Sequence, residues 1–226
     1  MAKNRNQSAR TTLEEVNESL TGAAQRIEEN KKYIYYALGA AAVVVLLVAA
    51  YIFGYSKPNE QQAKDAIGKA DMAYLQGDTA KALQEYEKVF DAYSNKPSER
   101  AAMMSAVILY QQGKNKEAAD YLEKYDPEGN MAGPASQSLL GDCYVNMKQY
   151  DKAIAAFDKA IKLSGDNEFY TPTFMIKKAT VLHEQKKYAD EAAIYQTIKD
   201  KYYQYTQAYR FNVDQYLERA NALAGK

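Results

Sequence analysis

Apolar residues fall along this chain in two regimes. Between Lys32 and Lys57 no charged residue occurs, and residues 34–53 read IYYALGAAAVVVLLVAAYIF. A helix of about twenty residues rises about 30 Å, the thickness of the hydrocarbon core of a bilayer. The strongly apolar members (Ile34, Leu38, Val43, Val44, Val45, Leu46, Leu47, Val48, Ile52 and Phe53) together favour insertion by roughly 3–6 kcal/mol, with no ionisable group opposing them. Tyr33, Tyr35 and Tyr36 at one end, and Tyr51 and Tyr55 at the other, are placed like the aromatic belts of a spanning helix. A core helix of a soluble domain keeps a polar stripe, which this run lacks. A secretory signal has a shorter apolar run close to the N-terminus, whereas 33 residues precede this one, so the pattern predicts an uncleaved anchor over 33–55.

Past residue 62 the pattern becomes amphipathic with helical spacing, and it repeats. Ala63 to Tyr74 with Ala82, Tyr86 and Val89 aligns with Ala102, Ser105, Ala106, Leu109, Tyr110, Ala118, Leu122 and Tyr125 at an offset of 36 residues. A further offset of 35 reaches Leu140, Gly141, Tyr144, Tyr150, Ala153, Phe157 and Ala160. Gly77-Asp78, Gly113-Lys114-Asn115 and Lys148-Gln149 separate the two apolar-periodic halves of each unit, as turns between paired helices. A fourth unit runs from about Pro172 through Ala179, Leu182, Tyr188, Ala192, Tyr195 and Ile198. It carries Glu191 where a small residue is expected, which leaves its register open by one position. The connection 164–171, SGDNEFYT, is longer than its counterparts and is expected to protrude. Gln207 to Ala224 reads as a terminal helix, with Asp214, Glu218 and Arg219 on its polar face.

Residues 138–163, SLLGDCYVNMKQYDKAIAAFDKAIKL, resemble the tetratricopeptide repeat. Small residues stand where the two helices cross, and aromatic residues stand where the second helix packs back on the first. The other copies are degenerate, and the early Trp of that family is absent from all of them. The expected fold class is therefore all-α: an N-terminal transmembrane helix followed by a tetratricopeptide-repeat α-solenoid with a C-terminal capping helix. In chain order this gives a cytoplasmic tail with a short amphipathic helix over 1–32, the transmembrane helix over 33–55, and a linker over 56–62. Four degenerate repeats follow over 63–205, then the capping helix and C-terminus over 206–226.

In the tail, Thr11/Glu14 and Thr12/Glu15 have capping-box spacing, and Leu13, Val16, Leu20, Ala24 and Ile27 then share a face. Lys3, Arg5, Arg10, Arg26, Lys31 and Lys32 precede the span, so the positive-inside rule places the N-terminus in the cytoplasm. After Lys57 the chain holds 22 basic and 24 acidic residues, a balance that gives nucleic acid no footprint. Cys143 and His183 are the only residues of their kinds. There is no phosphate-binding glycine loop, zinc spacing or nucleophile elbow, and Asp126–Asn130 (DPEGN) lacks the further ligands of a calcium loop and reads as a turn. No cofactor, metal site or enzymatic activity is expected.

What remains is a surface. In such repeats the first helices line a concave groove, and the positions expected to face it are Ile67, Asp71 and Tyr74; Met103, Val107 and Tyr110; Ser138 and Asp142; Ile176, Thr180 and His183. Met and aromatic side chains there suit an extended peptide or a partner's helix. The Lys/Asn clamp with which some repeat domains grip C-terminal carboxylates is missing, because Asp71, Val107 and Asp142 stand where Asn is needed. The whole layout resembles the YfgM-like family of single-span bacterial inner-membrane proteins. That resemblance implies a periplasmic repeat domain working with SecYEG translocon subunits, a membrane-anchored periplasmic chaperone or nascent polypeptide. A structural scaffold for another envelope assembly, such as cell division, lipoprotein transport or surface-organelle machinery, is the alternative.

Overall fold

The computed structural model describes Thr21 and residues 28–126 and 132–225. The amphipathic helix expected over 11–27 lies outside the described residues except for Thr21, as does most of the turn at 126–130. The described residues are helical or in turns, with no strand among them, and the chain divides into two compact units, residues 1–59 and 60–226.

In the first unit, helix α1 spans Lys31–Tyr51 and buries none of its residues, leaving Val45, Leu46 and Leu47 about two-thirds exposed at 65%, 68% and 66%. It is long and apolar enough to cross a membrane. Ile52–Ser56 follows as a π-helical turn, closed by the Lys57 N–H on the carbonyl of Ile52. Residues 56–62, expected as a linker, are instead helical, in that turn and in α2 (Lys57–Leu75). Pro58 has no N–H to offer and its ring crowds the carbonyl one turn back; widening the preceding turn accommodates it without ending the helix.

The second unit is a series of helix pairs. Helices α2 and α3 (Thr79–Ala92) form the first, α4 (Lys96–Gln111) and α5 (Asn115–Lys124) the second, α6 (Gly133–Asn146) and α7 (Tyr150–Ser164) the third, and α8 (Tyr170–Glu184) and α9 (Tyr188–Lys201) the fourth. Each second helix buries residues at helical spacing: Ala82, Tyr86 and Val89 in α3; Ala118 and Leu122 in α5; Ala153, Phe157 and Ala160 in α7; Ala192, Tyr195 and Ile198 in α9. The buried clusters they form join successive pairs, since Tyr86 packs with Ala101 and Ile108 of the next pair, and Phe157 with Val181. Asp78 accepts from the N–H of Lys81 at 3.0 Å and Asn95 from that of Ser98 at 3.2 Å, so these side chains cap α3 and α4.

The turn inside every pair is built the same way. Gly77, Gly113, Lys148 and Lys186 are left-handed, with φ of 80°, 77°, 59° and 59°. The residue after each donates its N–H five positions back: Asp78 to Ala73, Lys114 to Leu109, Gln149 to Tyr144 and Lys187 to Leu182, at 2.8–3.0 Å. This closure satisfies carbonyls that a helix end would leave unpaired. The recurrence fixes the register of the fourth pair, in which Glu191 occupies the place held by Ala82, Ala118 and Ala153. The terminal helix expected over 207–224 is broken into α10 (Tyr203–Ala208) and α11 (Val213–Leu223), with left-handed Arg210 at φ 48° between them. Asn212 starts α11 afresh by accepting from the Gln215 N–H at 3.3 Å.

Where α6 and α7 cross, Gly141 has no room for a side chain. A Cβ there would stand 2.5 Å from the Phe157 ring, whereas one at Gly68, inside α2, would meet nothing within 4 Å. Gly141→Ala is expected to destabilise the chain by about 1–3 kcal/mol through overpacking. Gly68→Ala should stabilise it by about 0.5–1 kcal/mol by restricting the unfolded backbone. Urea unfolding of the two variants in the same detergent checks both signs.

Candidate protein-binding groove

The first helices α2, α4, α6 and α8 stand next to one another in sequence of pairs, and polar bonds tie their facing rows. Arg100 of α4 meets Asp71 of α2 at 2.9 Å, and the other oxygen of Asp71 accepts from the Tyr86 hydroxyl at 2.6 Å. Lys177 of α8 reaches Asp142 at 2.5 Å and Ser138 at 3.0 Å, both on α6. Between these ion pairs Met103, Val107 and Tyr110 of α4 are half-buried and uncharged, with Met103 and Tyr110 resting on the cluster around Leu109 and Leu140. The centre of the row is thus apolar, and the carboxylates beside it already hold cations.

The expected lining residues do not all end alike. Ile67 is 5% exposed within the first core cluster, and Ser138 is 4% exposed beneath Lys177, so neither offers a side chain to an occupant. Asp71, Tyr74, Met103, Val107, Tyr110, Asp142, Ile176 and His183 are half-buried, and Thr180 is exposed with its hydroxyl donating to the carbonyl of Ile176 at 3.0 Å. Arg100 and Lys177 belong to the row but could not be picked out by repeat alignment, because their role is to pair with carboxylates of the neighbouring helix.

Burial governs the titration of the groups beneath this row. It pushes the Tyr86 and Tyr144 phenols up, helped by the Asp71 and Glu123 carboxylates that accept from them. It pushes the Cys143 thiol up to about 12, with Asp142 adding to the effect; a fully buried thiol in that state is packing, not a nucleophile. Burial also outweighs Lys177 and holds the Asp142 carboxyl above its ordinary value of 3.8.

His183 is anchored from below. Its Nδ1 lies 2.8 Å from Oε2 of Glu191, and Oε1 of the same carboxylate accepts from Arg219 of α11 at 3.0 Å. Glu191 is 0% exposed, while the side chains of His183 and Arg219 are 31% and 48% exposed. A carboxylate therefore replaces the small residue of the other pairs because α11 supplies a guanidinium to it. The sequence signal was the departure at Glu191 itself; its partner lay 28 residues further on, in an element read only as a cap.

Residues 67–132 and 134–167 match models of the tetratricopeptide repeat, so the matches take in the first three helix pairs, and repeats of this kind indicate a protein–protein interaction module. Among solved structures, MamA is similar over 69% of this chain and 94% of its own, at 19% identity and a TM-score of 0.51. YrrB, described as a TPR protein with an unusual peptide-binding site, is similar over 74% of this chain and 89% of its own, at 18% identity and a TM-score of 0.52. Pseudomonas aeruginosa pilF is similar over 87% of each chain, at 19% identity and a TM-score of 0.52. Identities of this size show a shared fold alone. No curated protein matches the sequence.

Two outcomes follow for stability. Removing both partners, His183→Ala with Arg219→Ala, leaves a buried carboxylate alone and is expected to cost about 3–5 kcal/mol. Glu191→Met leaves a partly exposed imidazole and guanidinium that water can serve and should cost under about 1.5 kcal/mol, an ordering that urea unfolding resolves. A carboxyl whose pKa is raised on folding contributes stability at acid pH and loses it as pH rises through the interval above its unfolded value. Asp142→Asn is therefore expected to leave stability near neutral pH unchanged or higher, and to flatten the fall of the stability curve that begins as pH rises above the ordinary carboxyl value.

Proposed function

We propose that this chain is a membrane-anchored interaction module that receives polypeptide segments in its repeat groove, as an ancillary component of a translocon and periplasmic chaperone network. One observation carries the proposal: a single chain joins an apolar helix that buries nothing against protein to a tetratricopeptide-repeat stack. The apolar helix favours lipid, and the basic tail before it favours a cytoplasmic N-terminus, with the repeats on the periplasmic side of a bacterial inner membrane. The layout resembles that of the YfgM-like family, and this resemblance is what supports translocon subunits, a periplasmic chaperone or nascent chains as the partners.

The groove supports polypeptide over a small ligand. Asp71 and Asp142 are already paired, so the floor at Met103, Val107 and Tyr110 offers apolar contact without an unpaired carboxylate to select a cation. YrrB, which shares the fold, is described as having an unusual peptide-binding site. The proposed work is retention and hand-over, with no chemical step and no cofactor.

Photo-crosslinking residues placed at Tyr74 and Tyr110 in intact cells are expected to trap translocon subunits, a periplasmic chaperone or nascent chains. Capture of a cell-division, lipoprotein-transport or surface-organelle component instead would favour the scaffold alternative.

A further inference from the structure

The connection between the third and fourth pairs builds a fixed projection. It comprises residues 165–169 between α7 and α8; it exceeds 93–95 between α3 and α4, but the connection 125–132 between α5 and α6 is longer, contrary to the expectation from sequence. Asn167 Oδ1 accepts from the N–H groups of Phe169 at 3.0 Å and Tyr170 at 2.8 Å. Thr171, 2% exposed, donates to the carbonyl of Gly165 at 2.9 Å, and its hydroxyl lies 2.8 Å from that of Ser164. The connection is closed on itself and holds its aromatic side chains outward, with Phe169 43% and Tyr170 64% exposed.

Phe169 is also continued by a second element. Its ring meets that of Tyr209 edge to face at 6.4 Å, and Tyr209, 63% exposed, lies 4.7 Å from the buried ring of Tyr205. Thr173, one helical turn after Phe169, donates its hydroxyl to the Phe169 carbonyl at 2.9 Å and contacts the Tyr205 hydroxyl at 3.4 Å. Outside residues 33–55, the exposed large apolar side chains of the described chain are Met72, Leu75, Phe169, Tyr170, Tyr203, Tyr209 and Leu223, so most of them gather in this last part. Asp166 and Glu168 precede the two rings directly in the chain, are exposed, and form no ion pair with a described residue.

Rings held in place beforehand lose little conformational entropy when they bind. A guanidinium stacks on an aromatic face and pairs with a carboxylate at the same time, which is the combination offered here. Anionic lipid, the other surface that takes exposed aromatic residues, is repelled by the two carboxylates. We propose that Phe169, Tyr170 and Tyr209, with Asp166 and Glu168, form a docking shelf for an extended, arginine-bearing segment of a partner protein, separate from the apolar centre of the groove.

The full-length chain in nanodiscs, titrated against a fluorescent peptide alternating Arg with Leu and Pro, tests this by anisotropy. The same peptide with citrulline or Glu in place of Arg is the control. The Arg peptide is expected to bind in a salt-sensitive way, and the citrulline and Glu peptides about tenfold or more weakly. Phe169→Ala with Tyr209→Ala, and separately Asp166→Lys with Glu168→Lys, should each weaken Arg-peptide binding by about tenfold or more. Tyr110→Ala should leave it within about twofold, which keeps the shelf distinguishable from the groove. Equal binding of all three peptides, or retention of affinity by both double variants, overturns the proposal. So does loss of self-association, or of binding to phosphatidylglycerol vesicles, as the main effect of removing the two rings, since the occupant would then be a second copy or a lipid surface.

Discussion

A helix pair holds together when a large side chain of the second helix lies where the first helix has almost none, and in this chain that exchange recurs at one fixed separation. Ala70 precedes Tyr86, Ala106 precedes Leu122, Gly141 precedes Phe157 and Ala179 precedes Tyr195, each by sixteen residues, and all eight positions are buried. The contact is tightest at Gly141, where the Phe157 ring occupies the space of a missing Cβ. Close approach of the two backbones sets the angle of each pair, and the next pair can then cover the apolar face that one pair alone would leave in water. The polar bonds of the groove depend on this too, because Arg100 and Lys177 reach their carboxylates only across neighbouring first helices.

Much of that arrangement was legible in the chain. Spacing of apolar positions marked the helices, Gly77 and Gly113 marked two of the turns, and the small-to-large alternation marked the crossings. Lys148 and Lys186 were less visible, since nothing about a lysine announces a left-handed backbone, yet the same closure forms around them. Local signals also misled at two places. Residues 56–62 read as a linker, but a widened turn carries the helical backbone past Pro58. Residues 207–224 read as one helix, but α10 ends at Ala208 and Asn212 caps a new one.

The groove was legible as a row and not as a chemistry. Alignment of repeats found the first-helix positions, but it gave Ile67 and Ser138 the same weight as Tyr110, because a one-dimensional pattern does not say how closely the next helix overlies each residue. It also presented Asp71 and Asp142 as open carboxylates, whereas cations from the neighbouring repeat already occupy them. The aromatic residues near the end were conspicuous in number, but their adjacency depends on a connection and a short helix far apart in sequence, Phe169 and Tyr209.

Glu191 has a consequence for how such a stack could grow. Arrays of this kind lengthen readily when a unit is copied, because every interface between neighbours is alike. The fourth unit is not interchangeable in that way: a duplicate placed after it would bring in a second sealed carboxylate, while only one Arg219 exists to meet it. Any added unit would therefore have to bring a guanidinium of its own.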